Sequence, residues 1–166
     1  MSGGDPARAG NIVPFAPPRA RRLRAPLLVL LWWLLGIEAL GGLLIFFMRL
    51  AAGAMPGETI HVIAGVGLTL AYVVYQVQHW GRVAPWRGRL DYALGLIGAI
   101  AMGLTLATGY VLAWPWWRVR ILARAHDPIA YSSFVSGAHN IMSMLVLTFV
   151  LAHLAAVLLR ERAGRR

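Results

Sequence analysis

The sequence predicts an all-α protein, an integral-membrane four-helix bundle running up-down-up-down. Three observations predict it. Hydrophobic residues make up 59% of the 166 positions and charged residues only 13%, a balance wrong for a soluble domain and right for a polytopic membrane chain. Four apolar stretches each reach the roughly twenty residues that a bilayer span needs. The basic residues, every one an Arg, gather at the ends of those stretches. Such clusters face phospholipid and set topology.

Residues 1–24 are rich in Arg, Pro and Gly and hold too few apolar residues for a core, so a flexible tail is expected. They do not read as a cleaved signal peptide, because the apolar run that follows is too long. The bundle is expected over 25–160 and a short basic tail over 161–166. The first span is read from Leu27 to Met48 and carries Gly36, Glu38, Gly41 and Gly42. Pro56 and Gly57 break the chain, and Glu58 or Thr59 can open the next helix. The second span runs from Ile60 to Trp80. A basic loop with Pro85 follows. The third span runs from Tyr92 to Trp114 and is expected to end at Pro115. Trp114, Trp116 and Trp117 beside Arg118 and Arg120 read as an interfacial aromatic belt. Residues 121–133 connect, and the fourth span runs from Phe134 to Leu159.

Orientation follows from the Arg residues. With the N-terminus inside, twelve lie on the inner side and four on the outer, namely Arg49, Arg118, Arg120 and Arg124. Both termini are therefore expected in the cytoplasm. The net charge of +10 implies a lipid bilayer as partner and no nucleic acid. There is no Cys, which excludes disulfides, cysteine-ligated iron–sulfur clusters and covalently attached haem c.

The histidines carry the chemistry. His139 and His153 are fourteen residues apart, about 40° short of four turns, so they share one helix face roughly 21 Å apart. His61 and His79 are eighteen apart, five turns or roughly 27 Å. The second and fourth spans run in the same direction, so His61 meets His139 toward the outer face and His79 meets His153 toward the inner one. Histidines inside a bilayer are rare and mark function. Each pair has the two imidazoles that ligate one haem b, stacked across the membrane. Ala64, Gly65, Leu68 and Tyr72 face with His61. Met142, Ser143, Val146 and Val150 lie on the stripe of the fourth span. Gly95 and Gly109 repeat the fourteen-residue interval and offer room for two porphyrin edges. Glu38 has two readings: a proton relay or hydrogen-bond partner near a haem or quinone, or a protonated carboxyl bonded within the bundle. His126 reads as a loop residue.

Four spans with histidines on the second and fourth, HxxxG at His61 to Gly65, His79-Trp80 closing a helix and TGYVL at Thr108 to Leu112 resemble the bacterial di-haem membrane cytochromes b. That group includes cytochrome b561-like proteins and the cytochrome b subunits of formate dehydrogenases and hydrogenases. The resemblance covers about Leu27 to Arg160. It implies an electron-transfer subunit of the bacterial inner membrane, not itself catalytic, that works with other subunits of a redox complex and exchanges electrons with quinone. Its metal ligands would be His61, His139, His79 and His153, with Gly65, Gly95 and Gly109 beside the cofactor. One departure stands out. Fourteen residues beyond His61 is Tyr75, and His79 lies four further on, roughly 6 Å deeper. This makes a single outer haem the alternative to two. The competing functional readings are a structural anchor subunit with one or no haem, and a small transporter with a His and Glu38 proton path.

Overall fold

A computed structural model describes residues 25–83, 88–122 and 131–163. They form four helices: α1 (Pro26–Ala52), α2 (Glu58–Val83), α3 (Leu90–Arg120) and α4 (Ser133–Ala163). Each is long and apolar enough to cross a membrane. The protein is an all-helical, multi-pass four-helix bundle.

The local chemistry explains the ends. Pro26 occupies the first turn of α1, where its missing N–H costs nothing. Gly53 ends that helix at φ 65° and returns its N–H to the Arg49 carbonyl, a left-handed conformation that favours glycine. Gly57 turns the chain back at φ 78°. The Ser132 hydroxyl caps α4 by accepting from the Val135 N–H at 3.3 Å. Acidic residues stand in the first turn of α2 and α3, and basic ones in the last turn of all four helices, as the helix dipole favours.

Two expectations need correction. The third span does not stop at Pro115: α3 continues through it to Arg120. In a membrane helix the freed carbonyl is re-satisfied by local adjustment and neighbours, so an internal Pro is tolerated. The tryptophan belt also divides, because Trp114 is 58% exposed while Trp116 is 3% exposed and packs inside. Every helix runs beyond the span read from hydropathy, α4 by four residues past Leu159. The tail at 1–24, the loop centre at 84–87 and His126 lie outside the described residues.

The helices pack as two hairpins. α3 and α4 make the most extensive contact, α1 and α2 the next, whereas α2 and α3 touch sparsely. Gly98 brings α3 against the backbone of α4 at Phe149, and Gly67 lies against Leu34 of α1. Small residues at such contacts let membrane helices approach closely. The buried core is a thin layer at mid-height: Leu31, Leu68, Ala71, Ala101, Met102 and Val146. The outer surface is apolar, with Leu40, Leu50 and Phe134 among many large exposed side chains, and contacts the lipid bilayer.

Candidate functional site

α2 and α4 bring the four histidines into two pairs. The rings of His61 and His139 have centroids 6.3 Å apart and planes crossed at 85°. The rings of His79 and His153 have centroids 6.4 Å apart and planes crossed at 84°. The four-residue offset at His79 therefore does not separate it from His153. Ring position rather than residue level decides what meets. Val146 on α4 and Leu68 on α2 lie between the pairs and are almost fully buried, at 3% and 4% exposure.

Three of the four imidazoles are held through Nδ1. His139 Nδ1 donates to the Thr105 carbonyl at 3.0 Å, with Thr108 Oγ1 at 3.1 Å. His153 Nδ1 donates to the Asp91 carbonyl at 2.7 Å. A carbonyl only accepts, so Nδ1 carries the proton in both and Nε2 keeps its lone pair. His79 Nδ1 meets the Tyr75 hydroxyl at 3.3 Å, and the two rings stack at 17°. Glu38 Oε2 stands 3.0 Å from His61 Nδ1, close enough to pair but off the line a hydrogen bond needs. His61 Nδ1 and Glu38 Oε1 are thus buried without hydrogen-bond partners. No hydrogen bond reaches any of the four Nε2 atoms among the described residues.

Glycines seat three of the four rings. A Cβ at Gly109 would meet His139 Cε1 at 3.2 Å, and one at Gly95 would meet His153 Nδ1 at 3.0 Å. Their fourteen-residue interval matches that of the histidines because each glycine lies against one imidazole. Gly42 of α1 does the same for His61, at 3.3 Å from Cε1. Gly65 faces the Glu38 carboxylate instead, at 3.6 Å. The spacing of the spans pointed to Gly95 and Gly109. It gave no signal for Gly42, for Thr108, or for the backbone acceptors at Thr105 and Asp91.

A cavity of about 990 Å³ opens between the hairpins around His61 and His139, with Glu38, Gly65 and Gly109 in its wall. His79 and His153 lie outside it. At the end of the cavity near the α1–α2 turn, Arg49 donates to Ser136 Oγ at 3.1 Å, and its guanidinium lies 5.7 Å from the centre of the Tyr131 ring. The Tyr131 hydroxyl donates to Glu58; burial and that carboxylate push the phenol well above its usual range. At the opposite end of the bundle Arg160 pairs with the Asp91 carboxylate, next to the carbonyl that holds His153.

Among the described residues no three or more His, Cys, Asp or Glu side chains converge as a metal site. What converges is pairs, which suits a metal whose remaining ligands come from a macrocycle. Two imidazoles bound to one metal at about 2 Å each would have ring centroids a little over 6 Å apart, a separation that both pairs match. A ligating histidine also donates its other ring N–H to a carbonyl or carboxylate; His139 and His153 do so, and His61 has Glu38 beside it. Compared with protein-family models, with curated proteins and with solved structures, the chain matches none.

Proposed function

We propose that the chain is a membrane cytochrome b subunit that carries electrons between quinone and a partner redox protein through bis-histidine haem b. One observation carries the reading: two imidazole pairs on α2 and α4, 6.3 and 6.4 Å between centroids, with Nδ1 of His139 and His153 tied to backbone carbonyls. His61 and His139 would hold an outer haem, and His79 and His153 an inner one. Haem b supplies reversible one-electron exchange when bound.

The chain's own residues do the rest. The Thr105 and Asp91 carbonyls fix the imidazole tautomer and orient Nε2 as the ligating atom. Gly95, Gly109 and Gly42 give the rings a fixed seat. The apolar walls exclude water and set a low dielectric, one of the levers on potential. His139 and His153 are roughly 21 Å apart along the axis of α4, which supports a reading with the two pairs toward opposite faces of the bilayer. The Arg asymmetry supports a bacterial inner membrane subunit with both termini cytoplasmic. Working with other subunits of an oxidoreductase complex, it would be an electron carrier rather than a complete enzyme.

A second reading, an anchor subunit with the outer haem alone, draws on the cavity, which opens around His61 and His139 but not around His79 and His153. Dithionite reduction of the purified chain tests both. A b-type spectrum with two haems per chain by pyridine haemochrome supports the first reading, one haem supports the second, and no haem sinks both.

A further inference from the structure

The cavity around His61 and His139 has two unlike ends. Toward the middle of the bundle it meets Leu68, Met102 and Val146. Toward the outer end it meets Arg49, Glu58, Tyr131 and Ser136. Ser136 lies three residues before His139 on α4, and Glu58 three before His61 on α2. This polar group therefore stands about one helical turn above the imidazole pair.

The charges there are arranged with a purpose. Tyr131 donates its hydroxyl to Glu58, which occupies the one acidic side chain at that end of the wall among the described residues. Among the described residues the contacts of Arg49 are with neutral groups, the Ser136 hydroxyl and the face of the Tyr131 ring. A guanidinium has five N–H donors in a fork that matches a carboxylate. A haem b held between His61 and His139 carries two propionate carboxylates on one edge. Turned toward Leu68 and Val146, they would be buried charges without partners, which is prohibitive. Turned outward, they meet Arg49.

We propose that Arg49, with the Ser136 hydroxyl beside it, receives the propionate carboxylates of the outer haem and so fixes which way the macrocycle faces. This assignment rests on the bis-histidine reading. Glu58 and Tyr131 form the other wall of the same anion site, the phenol shielding the carboxylate that would otherwise repel the ligand. Arg49 is a binding residue in this scheme and plays no part in ligating iron.

The test compares haem b with its dimethyl ester, which keeps the macrocycle and iron but has no propionate charge. The full chain is reconstituted with each, and transfer to excess soluble haem-binding apoprotein is timed for the phase that His61→Ala abolishes. The wild-type chain should lose the ester roughly tenfold or more faster than the free acid, the worth of a hydrogen bond to a charged group. Arg49→Met should lose the free acid at the ester's rate and show no further penalty for the ester. Arg49→Lys, which keeps the charge without the fork, should fall between. Equal rates for acid and ester in the wild-type chain overturn the proposal and leave histidine ligation standing, with Arg49 facing a lipid headgroup instead. If neither porphyrin gives a spectrum that depends on His61, the haem reading and this assignment fall together.

Discussion

Replacing Gly95 with alanine puts a methyl carbon where the ring of His153 now stands. The new Cβ would lie 3.0 Å from Nδ1 and 3.1 Å from Cε1. Carbon contacts are comfortable from about 3.5 Å, so the ring must retreat by roughly half an ångström. It is not free to do so, because Nδ1 is bonded at 2.7 Å to the Asp91 carbonyl, one turn away on the same helix as the new methyl. Overpacking of this kind costs about 1–3 kcal/mol. Better helix propensity returns about 0.8–1 kcal/mol, so the bundle should assemble and the cost should fall on the position of His153. The structure grades the other glycines. At Gly109 the nearest ring atom is 3.2 Å away and at Gly42 it is 3.3 Å. At Gly65 the nearest atom is an ordinary 3.6 Å away, and at Gly36 and Gly103 nothing lies within 4 Å. On the bis-histidine haem reading, pyridine haemochrome per chain and the high-spin fraction of the ferric protein should therefore fall into an order. Gly95→Ala should damage the inner haem most, Gly109→Ala and then Gly42→Ala the outer one, and alanine at Gly65, Gly36 or Gly103 should be silent. Loss at Gly36→Ala equal to that at Gly95→Ala would refute the reasoning, since it would place the effect in the helices and not in the ring seats.

Other expectations follow from the same geometry. His61→Ala and His139→Ala should each remove one haem and the same one, His79→Ala and His153→Ala the other; a haem lost with His153 but kept without His79 would mean a different partner ligand. The planes crossed at 85° and 84° should give both ferric haems the strongly anisotropic low-spin EPR signal of perpendicular axial imidazoles, and rhombic signals would contradict the pairing geometry. Where Glu38 is ionised, its charge beside a ligating imidazole would raise that ligand's basicity, so on the haem reading Glu38→Leu should raise the midpoint potential of the His61–His139 haem under those conditions while the other stays put, a pattern that redox titration with two resolved components can deny. Tyr75→Phe keeps the stacked ring but removes the hydroxyl at His79 Nδ1, and should move the inner potential by roughly 40 mV, about 1 kcal/mol for one hydrogen bond. Reporter fusions after Arg166 should read cytoplasmic, and a periplasmic signal there would invert the assignment of outer and inner.

The spans could be read from the sequence because a bilayer demands about twenty apolar residues whatever they pack against. The pairing of His61 with His139 and His79 with His153 could be read because alternating spans put α2 and α4 in the same direction. The helix through Pro115 could not, since breaking rules drawn from water overstate the penalty where lipid forbids an open backbone. Residue levels also misjudged His79: the offset from Tyr75 is real in the chain, yet the rings converge. The seats of the imidazoles were only half visible. Gly95 and Gly109 showed their interval, but whether they face a ring or a macrocycle depends on how close α3 comes to α4. Gly42 and the Thr105 and Asp91 carbonyls had no pattern to show, because a backbone acceptor has no signature in the letters of a sequence. Gly65, placed beside the cofactor by its HxxxG spacing, has Glu38 as its neighbour because α1 packs on that face of α2.

The division into two hairpins has a consequence for how such a protein is assembled. In lipid, an apolar helix gains little by exchanging acyl chains for another apolar helix. Within each hairpin, close approach at Gly67 and Gly98 supplies the contact that replaces this driving force. Between hairpins the described links are fewer: the thin core layer where Leu68 meets Met102 and Val146, Arg49 with Ser136 and Tyr131 with Glu58 near the α1–α2 turn, and the facing imidazoles. On the bis-histidine reading, a haem filling the space between α2 and α4 would thus be a structural member as much as a functional one. Assembly would run in two stages, hairpins first and docking last. The second stage would answer to the cell's supply of the filler, so that abundance of the folded protein would report cofactor availability before any electron moved.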